Sequence, residues 1–266
     1  SHHVAIVVNN LGETYLHQGQ WQAAADAFAE ALNGMISQLF RVDVLLNLGV
    51  VQLIQGDLKQ AQSWIEEALA VAQEIKRYDI LPMLHYRYGD LLRRQGKPDA
   101  ALAQLQQGIE LIEQMRQPLR AEEVKISLLG RWQQLYEQTV LLLVAEDRVA
   151  DALTYVERAR ARAFLDLLTP TASPSVGNSG GDEEQMALVD WQAPLRGAEI
   201  MAKAADGVAL VEYFPTGQAG TLAPMLAQLP PAAQPLRDLL LAPEQLLAFV
   251  VTTASIHAIA LPARLA

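Results

Sequence analysis

Apolar residues recur three and four positions apart over most of the first 168 residues, the spacing that lines one face of an α-helix. Residues 134–168 carry the pattern most plainly. Leu135, Val140, Leu141 and Val144 share one side of a first helix; Ala152, Tyr155, Val156, Ala159, Ala163 and Leu167 share one face of a second. The polar residues at 146–148 mark a turn between them, and Pro170 stops the second helix. A separate helix from 120 to about 132 leads into this pair. Beyond Leu168 the period changes. Residues 169–184, TPTASPSVGNSGGDEE, have the composition of a linker or disordered loop. A short helical stretch is expected at 195–204. Three runs with strand composition follow at 207–214, 246–253 and 255–261, the last two spaced as a hairpin. Pro224, Pro230, Pro231 and Pro235 exclude one long helix between the first two strands.

The helical part repeats. Leu11-Gly12 precedes Tyr15, and Ala24, Phe28 and Ala31 come later, as the tetratricopeptide pattern requires. Leu48-Gly49 stands 37 positions on, with Ala61, Ile65 and Ala68 in the later places. Tyr88-Gly89 opens a third copy 40 positions further, with Ala101, Leu105 and Gly108. The physical reason is packing: a small residue is needed where two antiparallel helices touch, and a large one beside it. Gly19, Gly56 and Gly96 fall between the helices of each copy, where a left-handed helix C-cap belongs. The 134–168 pair is a fourth, weaker copy with Val140 in the glycine place. Both spacings exceed the basic repeat of about 34 residues. The fold expected is therefore mainly α: a tetratricopeptide-type helical-hairpin solenoid over residues 4–168, a linker over 169–194, and a short incomplete α/β segment over 195–266.

Composition narrows the function. Hydrophobic residues are 51% of the chain, enough for a sizeable core. A net charge of −10 argues against nucleic acid, whose phosphates call for surplus Lys and Arg. With no cysteine there is no thiolate metal site, disulfide or Cys nucleophile, which fits a reducing, cytoplasmic setting. The longest apolar run, 140–145, is too short to span a membrane. The acidic groups Glu66-Glu67, Glu122-Glu123 and 182–184 lack histidines or carboxylates at ligand spacing, so no metal or cofactor is expected. His17 and His85 are isolated. Arg158, Arg160 and Arg162 read as a solvated face with Glu157 and Asp166 as partners.

The order of the pieces carries a resemblance. A repeat array, a helix ending ERARARAFLDLL, a linker, then DGVALVEYF and LLAFVVTTASIHAIALP is similar to the TPR-CHAT family, in which repeats precede a caspase-like cysteine-peptidase domain. The resemblance implies that the strands at 207–214 and 246–261 open such a domain. The family's catalytic His and Cys lie downstream of these strands, and His257 sits inside a strand in SIHAI, so no catalytic residue carries over. A truncated chain, a processed fragment and a member without the active half remain open.

Stacked repeats of this kind present a concave groove lined by the first helix of each unit. Aligned on Gly12, Gly49 and Gly89, the groove positions are Asn9, Glu13 and His17; Leu46, Asn47 and Val50; and Tyr86, Arg87, Asp90 and Arg94. Arg93 adjoins them. Some tetratricopeptide proteins grip a C-terminal carboxylate with two Lys, two Asn and one Arg; only Asn47 and Arg87 fall on those places. The expectation is a protein–protein interaction scaffold with a peptide or protein partner, Arg87 and Arg94 facing an acidic ligand. The terminal strands are expected to pack on the last repeat or to self-associate.

Overall fold

The computed structural model describes residues 2–34, 37–116, 122–168, 210–217 and 223–261. Eight long helices come first: α1 (His2–His17), α2 (Trp21–Asn33), α3 (Gln38–Gln55), α4 (Leu58–Glu74), α5 (Leu81–Arg94), α6 (Pro98–Arg116), α7 (Glu122–Ala145) and α8 (Val149–Leu168). They form four antiparallel pairs, each packed on the next through α2–α3, α4–α5 and α6–α7. The glycines account for the pairing. A methyl group on Gly12 would lie 2.6 Å from the Phe28 ring, on Gly49 2.8 Å from Ile65 Cγ1, and on Gly89 2.9 Å from the Leu105 side chain. The buried Phe28, Ile65 and Leu105 therefore fill the space that each glycine leaves open. Burying each such side chain stabilises the fold by roughly 1.5–3 kcal/mol. Gly19, Gly56 and Gly96 turn the chain at φ of 74°, 80° and 71°, where a Cβ is disfavoured. Asp57 then caps α4, its carboxylate accepting from the Gln60 N–H at 3.0 Å.

The fourth unit differs from expectation in one respect. α7 runs unbroken from Glu122 to Ala145, so the separate helix expected at 120–132 is the first half of α7. Gly130 costs a helix about 1 kcal/mol relative to Ala and does not break it as a proline would. The left-handed place after α7 is taken by Asp147, at φ 58°.

Three strands follow: β1 (Leu210–Thr216), β2 (Gln245–Val251) and β3 (Ile256–Leu261). They form an antiparallel sheet in the order β1-β2-β3, with Phe214 opposite Leu247 and Phe249 opposite Ala258. β1 reaches past the expected end to Thr216 through Pro215, which an edge strand tolerates because the missing N–H faces away from the ladder. β2 ends at Val251, two residues early. Thr252 Oγ1 accepts from the N–H groups of Ala254 and Ser255 and closes the turn into β3. Between β1 and β2 lie α9 (Ala223–Leu226), a 3-10 turn (Pro231–Ala233) and α10 (Gln234–Leu240). The expected linker at 169–194 and helical stretch at 195–204 fall outside the described residues.

Two cores result. The first joins α1–α5 with Leu236 and Leu239 of α10. The second joins α5–α8 with Phe214, Leu247, Phe249 and Val251, so one face of the sheet packs on the last helix pairs. Glu137 on α7, fully buried, ties the end of β1 to that helix by accepting the Gly217 N–H at 3.0 Å.

Candidate functional site

Asn9, Glu13 and Asn47 meet between α1 and α3. Asn9 Nδ2 donates to Glu13 Oε1 at 2.9 Å, and Asn47 Nδ2 lies 3.3 Å from Asn9 Oδ1 and 3.4 Å from Glu13 Oε1. The register put these three on one face, and there they bond to one another. Asn9 is buried and Glu13 and Asn47 are half-buried; His17 is exposed at the end of α1. Leu46 is half-buried against the first core. Val50 and Tyr86 are not groove surface. Val50 belongs to the first core and Tyr86 to the second, because both lie on the sides of α3 and α5 that meet neighbouring helices.

The arginine cluster departs most from expectation. Arg93 Nη2 and Arg94 Nε donate to the two oxygens of Asp90 at 2.7 and 2.8 Å, and Arg94 Nη1 reaches the Leu53 carbonyl at 3.3 Å. Positions three and four apart on a helix are neighbours, so one buried carboxylate bonds to both and offsets one of their two charges. Asp99 takes no part; it is exposed and 4.0 Å from Arg148. Arg87 is buried, stacks 5.0 Å over the Tyr86 ring, and donates from Nη1 to the Leu239 carbonyl at 2.8 Å. Among the described residues its Nε has no hydrogen-bond partner. Burial works against the Arg87 charge, opposed by Tyr86 and Asp90.

Arg87 is covered because the chain returns to it. The segment from Pro230 to Leu240 lies across the first three helix pairs. Its start meets the α1–α2 turn, where a Cβ on Gly19 would stand 2.4 Å from the Ala232 carbonyl oxygen. Its middle packs on α3, and its end rests on Arg87 of α5. Ala233, Leu236 and Leu239 are buried, while Arg237 and Asp238 between them are exposed. The apolar spacing of three was present in the sequence, inside a proline-rich insertion that gave no hint of its destination.

A family model for the MalT-like TPR region matches residues 1–166. The chain belongs to that family. A search of the curated proteins finds no match. Among solved structures, BtubC (BKLC) from P. vanneervenii is similar at a TM-score of 0.52 and 16% identity, over 67% of this chain and 71% of that one, which supports the helical-repeat fold alone. MamA AMB-1 matches at 15% identity over 63% of this chain and 94% of that one, but its TM-score of 0.22 carries no weight.

This MalT-like TPR chain has two further features, a cavity and an ion pair between α6 and α8. A cavity of about 490 Å³ opens beside the end of α10, lined by Asp90, Gln138, Leu141, Leu239, Leu241 and Leu247 among others. Arg158 is not on a solvated face with Glu157: it pairs with Glu113 of α6 at 2.9 Å and stacks 5.0 Å over the Tyr155 ring. The carboxylate that Arg158 meets is supplied across the helix pairs by Glu113 and not by its chain neighbour Glu157. Asp166, its other expected partner, has no described side chain, and neither have Arg160 and Arg162. Among the described residues no cluster of His, Asp and Glu could hold a metal ion, and no helix is long and apolar enough to cross a membrane.

Proposed function

We propose that this chain is a protein–protein interaction scaffold, the regulatory repeat region of a TPR-CHAT-like protein, which binds a peptide or protein partner through the concave face of its helix pairs. The supporting observation is the segment at 230–240: the groove already engages a piece of chain by leucine side chains and a backbone carbonyl. Repeats of this type are binding platforms. A cysteine-free chain suits the cytoplasm. Partner capture tests the reading. Glu13→Lys with Asn47→Asp should abolish copurification of the native partner, and Asp26→Lys with Lys59→Glu on the second helices should leave it intact. Loss with the second pair alone would move the partner to the other face.

A second reading rests on the sheet. Its outward face carries Val211, Tyr213 and Pro215, then Leu246, Ala248 and Val250, then His257, Ile259 and Leu261. Eight of these nine are apolar, the composition of a sheet that a second layer covers in an α/β domain. This favours residues 195–266 as the opening of a caspase-like domain, whose His and Cys would lie downstream in the native reading frame. A frame with no such pair would end that reading. The same apolar face, with β1 and β3 at the two ends of the strand order, also suits self-association.

A further inference from the structure

We propose that the segment at 230–240 is an exchangeable occupant of the groove, and that the partner which replaces it is an amphipathic helix with apolar residues three apart, docked with its C-terminal carbonyls on Arg87. This rests on the concave face being a peptide site, and it names the kind of peptide.

Three observations carry it. First, the segment is held by a single stripe. Ala233, Leu236 and Leu239 are buried while Pro231, Ala232, Gln234, Pro235, Arg237 and Asp238 are exposed. Recognition by residues at helical spacing laid into an apolar groove is how helical peptides bind in trans. Second, α10 has seven residues, too few to hold a helix without the groove. Pro231 and Pro235 stand in the first turns of the 3-10 turn and of α10, where proline presets the backbone. The helix is a bound conformation set by its site. Third, the occupant satisfies its site only in part. Arg87 receives one neutral carbonyl and keeps Nε unpaired, and the 490 Å³ cavity lies open next to Leu239 and Leu241. A guanidinium has five donors and is served best by the negative end of a longer helix. A trans helix with one more turn and a further apolar side chain reaches both.

The segment competes as an intramolecular ligand, so it weakens a trans helix by its own effective concentration. The probe is a fluorescent, C-terminally amidated peptide of residues 229–241, titrated into the full chain. The opened variant carries Leu236→Ser and Leu239→Ser; circular dichroism and the melting of the repeats verify that it is folded. Should the double variant fold poorly, Leu239→Ser alone serves, with hydrogen exchange at 230–240 of the unaltered chain as the second measurement. The opened chain should bind the peptide, and the unaltered chain should bind it at least about tenfold more weakly. Saturating peptide should speed exchange of residues 230–240 in the unaltered chain. A control peptide with serine at both leucine positions should bind neither. Equal affinity for opened and unaltered chains, or equal binding of the control peptide, would overturn the exchange and leave the groove reading standing. No binding to a folded, opened chain would overturn both.

Discussion

Arg87 on α5 donates from Nη1 to the carbonyl oxygen of Leu239, 2.8 Å away and 152 positions later in the chain. This bond joins the floor of the repeat groove to the end of α10. Both residues are buried, so neither group has water as an alternative. Replacing Arg87 with Met keeps most of the stem and removes the donor. The Leu239 carbonyl then loses its bond in a dry site, a cost of about 1–3 kcal/mol. Urea unfolding should show that loss, and hydrogen exchange should rise first at 234–241.

The glycines that bring paired helices together make a second prediction. Gly49→Ala places a methyl 2.8 Å from Ile65 Cγ1, and the crowding should cost about 1–3 kcal/mol. Ile65→Ala alone opens a cavity and costs about 2–5 kcal/mol. Together the two should cost less than their sum, because the new methyl occupies the space that the isoleucine leaves. Thermal unfolding of the four chains of this cycle measures the coupling; strict additivity would mean that Gly49 and Ile65 do not touch.

How far the sequence disclosed this arrangement depends on the distance over which each signal acts. The repeats were legible because Gly12 and Phe28, or Gly49 and Ile65, lie within one helix pair and recur in register. The bond between Asn9 and Asn47 was half legible: the register put both on one face, and only geometry shows that they bond to each other there. The pairing of Arg93 and Arg94 with Asp90 follows from spacing of three and four. The burial of Arg87 does not, since it depends on residues that return from beyond β1. Likewise Leu236 and Leu239 show a stripe, and a stripe of three residues does not say which surface it will meet.

Two buried titratable groups give opposite pH slopes. His85 is buried against Gln104, its Nδ1 2.8 Å from Oε1. Burial lowers its pKa below 6.5, against the Gln104 hydrogen bond, which raises it. The unfolded chain therefore binds the proton first. Stability from the neutral imidazole is full above pH 6.5 and is lost as pH falls through the folded pKa. Stability curves from pH 8 to 5 should fall more steeply for the unaltered chain than for His85→Gln.

Glu137 runs the other way. Burial raises its pKa above 4.5, opposed by the Gly217 N–H and by Gln133. The folded chain holds this proton more tightly, so its contribution declines as pH rises from 4.5 through the folded pKa. Glu137→Gln keeps an oxygen for Gly217 and removes the charge; near neutral pH it should match or exceed the parent in stability. Glu137→Ala should cost about 1–3 kcal/mol by leaving the Gly217 N–H unpaired. Urea titrations at pH 5 and pH 7.5 separate the three chains.

The outward sheet face predicts association. Val211, Tyr213 and Ile259 are 43%, 51% and 48% exposed on the two edge strands. Sedimentation at rising concentration should show self-association that Ile259→Lys weakens, since a charge on an edge strand opposes further pairing. Association unchanged by Ile259→Lys would place the contact elsewhere.

The groove holds residues 230–240 of its own chain. The chain has no cysteine, so spin labels can be placed at two chosen positions without background. His17 at the end of α1 and Arg237 on α10 are both exposed and close to the Gly19–Ala232 approach. The measurement is the distance distribution between labels on His17→Cys and Arg237→Cys. One narrow, short distance is expected, and it should lengthen and broaden when Leu236→Ser and Leu239→Ser are added. A broad, long distribution in the chain with both leucines intact would contradict it.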